Sequence, residues 1–317
     1  MSGKKLMRLK KDQLMLADEP RDHHYVPQFF LRNFAVDETR RRIATVAKHG
    51  SRAVWAERSI DGLGYERDLY VHMKEGIPIS VEADINHRIE TPIARSDTWA
   101  KIASGRTDAL DQSDRPILYA LIRHLEARTP HYHSTMSELA QMAADPNSAI
   151  AFADEERAHY AAMRAHPDFA KEMLNQMAST TAWAADSFKS AFLMILRSPI
   201  PLRSSTTPVV ALSVPAHAAI ELPLPDMTPY QLVLTLNVNT FACLILGDFD
   251  GAFSNRLVDP QTAVGLNRRF VGQFAYFEHV RHLITGRANL AADMNWAGYD
   301  LIEDTEQKIT FRRRAKD

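Results

Sequence analysis

Cysteine is nearly absent from the 317-residue sequence, in which Cys243 is the single example. One thiol cannot form an intramolecular disulfide and cannot build a cysteine-based zinc site. The basic stretch "MSGKKLMRLKKDQ" at the start also lacks the apolar segment of a secretory signal peptide. These absences exclude a disulfide-rich secreted scaffold, and we expect a cytoplasmic protein.

A hydrophobic run long enough to cross a membrane is also missing. The nearest stretch, "LVLTLNVNTFACLIL" at 232–246, is shorter than the roughly 18 apolar residues that a membrane span needs. It also contains Asn237 and Asn239, so it predicts a buried strand. We therefore expect no membrane association.

The chain has almost no net charge, because 38 basic residues balance 39 acidic ones. This balance gives no overall attraction to nucleic acid. Basic residues are concentrated at 1–20 and 306–317, which are predicted to be flexible tails on either side of a single domain at 21–305. Solvated tails and tails that contact nucleic-acid phosphates both fit this pattern.

Several common enzyme motifs are absent. The sequence contains no G-x-x-x-x-G-K-[ST], no G-x-G-x-x-G, no G-x-S-x-G and no H-E-x-x-H. A P-loop nucleotide hydrolase, a dinucleotide-binding enzyme, an α/β-hydrolase and a zincin metalloprotease therefore have no support. Any chemistry must come from side chains outside these motifs.

The N-terminal part of the domain predicts a short helix followed by strands. Pro27 suits the first turn of a helix, and "QFFLRNFA" would place Phe30, Leu31 and Phe34 on one face of it. Extended runs between 42 and 72 predict a small hairpin.

The rest of the chain predicts an α+β fold. Helical spacing dominates from about 78 to 197, where "SFKSAFLMIL" is predicted to end the last helix of a central helical block. Prolines and short apolar runs after residue 198 predict strands, and a long closing helix is predicted at 260–286. The N-terminal hairpin and the C-terminal strands are expected to form a sheet.

One predicted helix carries a regular acidic stripe. Glu82, Asn86 and Glu90 recur every four residues after Ser80, a predicted N-cap, and Pro92 is predicted to kink or interrupt this helix. A general base or a metal site could form on this stripe if a partner element faces it. A solvated charged face is the alternative.

Two arginines flank His124 in the next predicted helix, which meets Pro130. Arg123 and Arg128 beside a helix break predict an anion site, because the guanidinium fork matches the geometry of phosphate. A structural ion pair between Arg128 and one of the glutamates of the acidic stripe is the alternative.

Two histidine pairs have spacings that metal ligands use. His131 and His133 alternate, and His279 and His282 would share one face of the closing helix. In a chain with 13 histidines such pairs also arise by chance, and no cysteine completes a ligand set.

Three motifs resemble those of the bacterial domain of unknown function 4238 family. They are "HHYVPQFFLRNF", "RTP" at 128–130 and "RSSTTPVV" at 203–210, and the similarity runs from about 22 to 285. The resemblance implies common ancestry and fold, but no reaction. Where the family has a turn of the serine, aspartate, asparagine, proline type, this chain has Ser205, Thr206 and Thr207 before the proline, so a carboxylate is missing.

The segment "HHYVP" is also similar to the first strand of HNH-type nucleases, in which a histidine activates water on a metal-bound phosphodiester. The resemblance covers that strand only. Residues 35–75 supply His49 and His72 without the asparagine and the spacing that the rest of such a site needs. His24 can therefore be interpreted as a base, as a metal ligand or as a hydrogen-bonded structural anchor.

Two functional hypotheses follow, and the sequence leaves open whether the protein is an enzyme. The first is an intracellular hydrolase of nucleic-acid phosphodiesters that needs a divalent metal such as Mg²⁺ or Mn²⁺. Its predicted catalytic residues are His24, His23 and Glu90, and its predicted substrate-binding residues are Arg128, Arg123, Ser205 and Gln28. The second is a non-catalytic ligand-binding or protein-interaction module, in which the same residues hold the fold together and proline-rich loops between 199 and 229 present a surface to a partner.

Overall fold

The protein is described as a computed structural model. The structure describes residues 22–74, 77–130, 132, 138, 141–143, 145, 153–165, 171–172, 175, 189–212 and 231–315. Helices and strands both contribute to the core of this part, so the predicted α+β class is confirmed. No helix in the described ranges is long and apolar enough to cross a membrane. The basic stretch at 1–20, His131, His133 and the proline-rich residues 213–230 lie outside these ranges.

The described helices are α1 (Gln28–Leu31), α2 (Glu82–Ile85), α3 (Thr91–Ala94), α4 (Asp97–Ala103), α5 (Arg115–Ala127), α6 (Asp154–Ala165), α7 (Pro260–Tyr276) and α8 (Arg287–Trp296). A π-helical turn, Asn86–Glu90, joins α2 to α3. The strands are β1 (Asp22–His24), β2 (Arg42–His49), β3 (Arg52–Ser59), β4 (Tyr65–Arg67), β5 (Val71–Lys74), β6 (Ile77–Ser80), β7 (Phe192–Arg197), β8 (Ser204–Ser205), β9 (Val209–Leu212), β10 (Gln231–Asn237), β11 (Thr240–Ile245), β12 (Phe253–Leu257), β13 (His282–Ile284), β14 (Tyr299–Asp304) and β15 (Lys308–Arg313).

Two larger sheets organise the fold. The six-stranded sheet has the order β14-β15-β3-β2-β13-β8, so the N-terminal hairpin pairs with C-terminal strands as predicted. The five-stranded sheet has the order β12-β7-β11-β10-β9 and consists of strands that follow the helical block. Two small sheets, β1-β4 and β5-β6, lie near the N-terminal motif in sequence.

The five-stranded sheet separates two hydrophobic clusters, because successive side chains of a strand point to opposite faces. Leu232, Leu234 and Leu236 of β10 pack with α5 and with the aromatic residues of the N-terminal motif. Val233 faces the other way and packs with α7 and the six-stranded sheet. The N-terminal motif is therefore tied to one face of this sheet.

The predicted closing helix begins at Pro260 as expected, but it is shorter than predicted and is not the last element. Helix α7 ends at Tyr276, and the chain then forms β13 and α8 and a final hairpin, β14-β15. His282 belongs to β13, where it is opposite Ala47 of β2, so His279 and His282 do not share a helical face. Pairing with two neighbouring strands outweighs the helical spacing of this segment.

Two other segments also differ from the predictions. The end of "SFKSAFLMIL" forms the inner strand β7, because a buried strand and a buried helix have the same apolar composition. The predicted C-terminal tail, 306–317, contributes β15, which pairs with both β14 and β3. The residues Ile309 and Phe311 of this strand are buried.

Candidate functional site

The N-terminal motif is held by a tight approach between two backbone segments. The amides of Tyr25 and Val26 both donate to the carbonyl oxygen of Gly64, at 2.7 and 3.0 Å. Gly64 has a φ of +66°, which favours glycine, and a Cβ at this position would lie 2.8 Å from the Cβ of Val26. The approach therefore depends on glycine. It fixes the backbone just after the two histidines.

His23 is buried and serves as a hydrogen-bond acceptor. Its Nδ1 accepts the backbone N–H of Tyr70 at 3.0 Å, and its ring is stacked on the ring of Tyr70, with the centroids 5.6 Å apart. Because Nδ1 accepts, the proton of the neutral ring is on Nε2. The position of His23 fits a structural anchor between β1 and Tyr70.

His24 is in a different environment, because its side chain is partly exposed. Its Nε2 lies 3.3 Å from the carbonyl oxygen of Asp61, and its ring is 5.8 Å from the ring of Tyr65. A carbonyl can only accept, so Nε2 carries the proton and the neutral ring has its lone pair at Nδ1.

Arg128 is the centre of a buried polar cluster, which we call the Arg128 cluster and which also contains Tyr70, Glu82, Glu90 and His124. The guanidinium is fully buried just after the last residue of α5. Its Nη2 donates to Glu82 Oε2 at 3.1 Å, and its Nη1 pairs with Glu90 Oε1. Two carboxylates therefore compensate one buried positive charge.

The same guanidinium also binds the N-terminal motif directly. Its Nη2 donates to the carbonyl oxygen of His24 at 2.5 Å, and its Nε donates to Tyr70 Oη at 2.8 Å. The Tyr70 hydroxyl in turn donates to the carbonyl oxygen of Arg128 at 3.0 Å, and the guanidinium carbon lies 4.8 Å from the centre of the Tyr70 ring. Burial raises the pKa of Tyr70, so the phenol stays protonated and can donate.

The π-helical turn places the two glutamates against Arg128. Glu82 begins α2 and Glu90 ends the π turn, and both side chains are largely buried, with 23% and 15% exposed. The Ser80 hydroxyl accepts the N–H of Glu82 at 3.4 Å, although the N-cap position itself is Val81. The helical segment continues through Pro92, because the wider π turn ends just before the proline ring.

His124 closes the cluster one turn before Arg128 on α5. Its Nε2 lies 3.4 Å from Glu90 Oε1 and 3.3 Å from Arg128 Nη1. In the sequence His124 lies between two arginines without any pattern that assigns it to a site, and no motif or spacing points to Tyr70. Spacing on a predicted helix could point to His124, whereas Tyr70 comes from a distant strand region and is found only through the fold.

The other predicted site residues make separate contacts. Arg123 Nη1 pairs with Glu126 Oε2 at 2.5 Å, in a partly exposed i, i+3 ion pair. The Ser205 hydroxyl is buried and donates to the carbonyl oxygen of Thr207 at 2.7 Å. Gln28 is partly buried at the start of α1. Within the described ranges, no hydrogen bond links Arg123, Ser205 or Gln28 to the Arg128 cluster.

The turn that includes Ser205 nevertheless touches the N-terminal motif. The Thr206 side chain lies close enough to the Tyr25 hydroxyl to lower its pKa, whereas burial raises that pKa and has the larger effect. The Thr206 N–H donates to the carbonyl oxygen of His282 at 3.1 Å, which joins this turn to β13. Burial and nearby Arg58 lower the pKa of His282 to about 4, so its ring is neutral at pH 7.

The cluster does not suit a divalent metal. No group of three or more metal-ligating side chains occurs among the residues that the structure describes. The cation between Glu82 and Glu90 is the guanidinium of Arg128, which pairs with both carboxylates. A metal ion at this place would have to displace a buried arginine.

Comparison with known proteins identifies the family of this chain. A family model described as protein of unknown function (DUF4238) matches residues 22–221, which is more than half of the chain. The chain belongs to this family. The predicted resemblance is thus confirmed, although the match ends before residue 285. No curated protein and no solved structure matches the chain.

The first of the three motifs that carry the DUF4238 resemblance contacts both of the others. The backbone of the "HHYVP" motif accepts from Arg128, the first residue of "RTP", and Tyr25 of the same motif contacts the turn of the third. The three motifs therefore hold the two ends of the matched region together.

Proposed function

We propose that this DUF4238 protein is a non-catalytic ligand-binding or protein-interaction protein, and that its motif residues anchor the N-terminal segment to the helical block. The observation that carries this proposal is the arrangement around Arg128, whose guanidinium is buried between Glu82 and Glu90. These carboxylates neutralise a structural cation, so they are not available to bind a metal or to take a proton from water. A cytoplasmic location is part of the proposal and is supported by the single, buried cysteine, Cys243.

A direct test uses purified wild type, His24→Ala and a matched control, His49→Ala. His49 is an exposed histidine at the end of β2. Each protein is incubated with labelled single-stranded and duplex DNA and RNA, with Mg²⁺, Mn²⁺ or a chelator, after circular dichroism confirms that it is folded. We expect no cleavage above buffer for any of the three proteins.

A hydrolase that acts on nucleic-acid phosphodiesters is the second candidate, and one observation favours it. His24 is partly exposed, and the Asp61 carbonyl at its Nε2 leaves the lone pair at Nδ1, which a general base needs. Cleavage by wild type and His49→Ala, lost in a folded His24→Ala protein, would establish this candidate and overturn the first.

A further inference from the structure

A cleft of about 280 Å³ lies far from the Arg128 cluster in sequence, between the edge strand β9 and helix α7. We call it the β9-α7 cleft. The residue that closes it is Trp296, the last residue of α8. Its lining combines apolar, aromatic and basic side chains: Val210, Leu212, Arg268, Arg269, Tyr276 and Trp296.

Three aromatic rings at this cleft are exposed to solvent. Tyr276 is 71% exposed, Phe277 is 49% exposed and Trp296 is 43% exposed. By contrast, Trp55 and Trp99 are buried in the core. Large exposed rings that lie together at one cleft are a recognised mark of a binding surface.

Two arginines at the same cleft have charges that no described residue compensates. Arg268 and Arg269 are exposed, and the side chain of neither forms a hydrogen bond or an ion pair with a residue in the described ranges. The arginines of a second cleft, beside α8, differ in this respect, because Arg287 pairs with Asp304 and Arg314 pairs with Asp300. The β9-α7 cleft therefore has positive charge available for an anion.

Helix α7 aligns these groups on one stripe. Arg269, Gly272, Gln273 and Tyr276 are spaced i, i+3, i+4 and i+7, so they follow one another along the cleft. A Cβ at Gly272 would lie 3.3 Å from Trp296, so the absence of a side chain lets the indole pack against the helix. The side-chain oxygen of Gln273 is buried, and no described residue donates a hydrogen bond to it.

We infer that the β9-α7 cleft binds single-stranded nucleic acid. The arginines suit phosphate oxygens, and the exposed rings suit the faces of unpaired bases, which stack on aromatic side chains without a strong sequence preference. A duplex is a poorer ligand for this cleft, because its base faces are stacked inside the helix and cannot reach the exposed rings. An acidic peptide could pair with the arginines but would leave the rings without stacking partners.

This inference concerns a surface other than the Arg128 cluster, so it stands whichever role that cluster has. The basic residues near the N-terminus offer a competing place for phosphate contacts. The experiment must therefore separate the cleft from the rest of the full chain.

The test is fluorescence anisotropy with labelled DNA and RNA single strands of about 15 nucleotides, the upper range of a single-strand binding site. The variants are the double substitution Arg268→Ala/Arg269→Ala, the single substitution Tyr276→Ala and the control Arg256→Ala. Arg256 is an exposed arginine of β12 whose side chain forms no hydrogen bond or ion pair with a described residue. Circular dichroism and thermal melting check that each variant is folded.

We expect wild type and Arg256→Ala to bind equally. Tyr276→Ala should bind roughly 5-fold to 100-fold more weakly, which is the usual effect of losing one stacked base. The double arginine variant should also have a less steep dependence of log K on log salt. The negative slope should be smaller in magnitude by about 1.4, because each phosphate contact in a single strand contributes about 0.7.

Tryptophan fluorescence gives an independent measure of the cleft. A base that stacks on Trp296 should quench part of the emission of the wild type, and the quench should be absent in Trp296→Phe. Three outcomes would overturn the inference: no binding by wild type, binding that the arginine and tyrosine substitutions leave unchanged, or tighter binding of a duplex or of poly-glutamate than of the single strands.

Discussion

His23 and His24 are neighbours in sequence, but their environments differ, so we expect them to contribute unequally to the free energy of unfolding. His23 is buried and accepts the backbone N–H of Tyr70, whereas His24 is partly exposed and makes one contact at 3.3 Å. We expect His23→Ala to lower the free energy of unfolding by about 1–3 kcal/mol, because it leaves a buried donor unsatisfied. His24→Ala should cost less than about 1 kcal/mol. Urea titration of both variants compares them, and an equal loss would show that the assignment of their roles is wrong.

His282 predicts a pH dependence of stability. Its pKa is about 4 in the folded protein, below the ordinary value of 6.5, so the unfolded chain binds a proton that the folded protein excludes. The stability that comes from keeping this ring neutral is fully present above pH 6.5. As the pH falls towards 4, protonation of His282 in the unfolded chain lowers the free energy of unfolding, by about 3 kcal/mol in total.

The matched variant for this prediction is His282→Gln, whose side chain does not titrate. The loss of unfolding free energy between pH 7 and pH 4.5 should be smaller in His282→Gln than in wild type, as measured by denaturant titration at each pH. The same loss in both proteins would mean that other groups carry the pH dependence.

The site could be predicted from the sequence only where its residues share an element. Glu82 and Glu90 were recognised because they lie on one helical stripe, and their pairing with Arg128 was one of two alternatives. Tyr70 could not be found in this way. Its hydroxyl reaches Arg128 only because the fold brings residues 58 positions apart into contact.

At the scale of elements, the turn that contains Gly64 fixes the N-terminal motif. Gly50 and Gly64 both have positive φ, so an alanine at either position is strained by roughly 1–2 kcal/mol. A Cβ at Gly50 would meet open space, whereas one at Gly64 would lie 2.8 Å from Val26. We expect Gly64→Ala to be clearly more destabilising than Gly50→Ala in thermal melting, and similar melting points for the two variants would contradict this account of the turn.

The boundaries of elements were predicted less well than their existence. The hairpin of β2 and β3 and the strands β9, β10 and β11 follow the sequence pattern, because each is a short extended or apolar run bounded by turn residues. Helix α7 ends ten residues before its predicted end at 286, because the segment from 282 to 284 pairs with β2 and β8. Such pairing depends on distant strands, and local spacing contains no information about it.

At the scale of the whole molecule, the N-terminal hairpin β2-β3 and the C-terminal hairpin β14-β15 meet in the six-stranded sheet. Strand β15 lies between β14 and β3 and buries Ile309 and Phe311. We expect removal of residues 306–317 to abolish cooperative unfolding or soluble expression, because it deletes an inner strand and leaves the hydrogen-bonding edge of β3 unpaired. Removal of residues 316–317 alone is the control, and a fully folded 1–305 protein would contradict the assignment of β15.

The fold class was predictable because helical and strand periodicities occupy separate parts of the chain. The way in which the helical and strand parts pack together could not be predicted, because it depends on the buried charges of the Arg128 cluster and on strands that pair across more than 200 residues. Polar contacts between residues far apart in the sequence can be identified only when the three-dimensional positions of both partners are known.

Arg128 is the structural counter-ion of Glu82 and Glu90, and the anchoring of the N-terminal motif depends on this pairing. The most direct measurement is the free energy of unfolding of Arg128→Met and of the triple variant that adds Glu82→Gln and Glu90→Gln. The single variant should lose about 3–5 kcal/mol, because it leaves buried carboxylates without a partner, and the triple variant should recover most of that loss. An Arg128→Met protein as stable as wild type, or a triple variant no more stable than the single one, would contradict the claim.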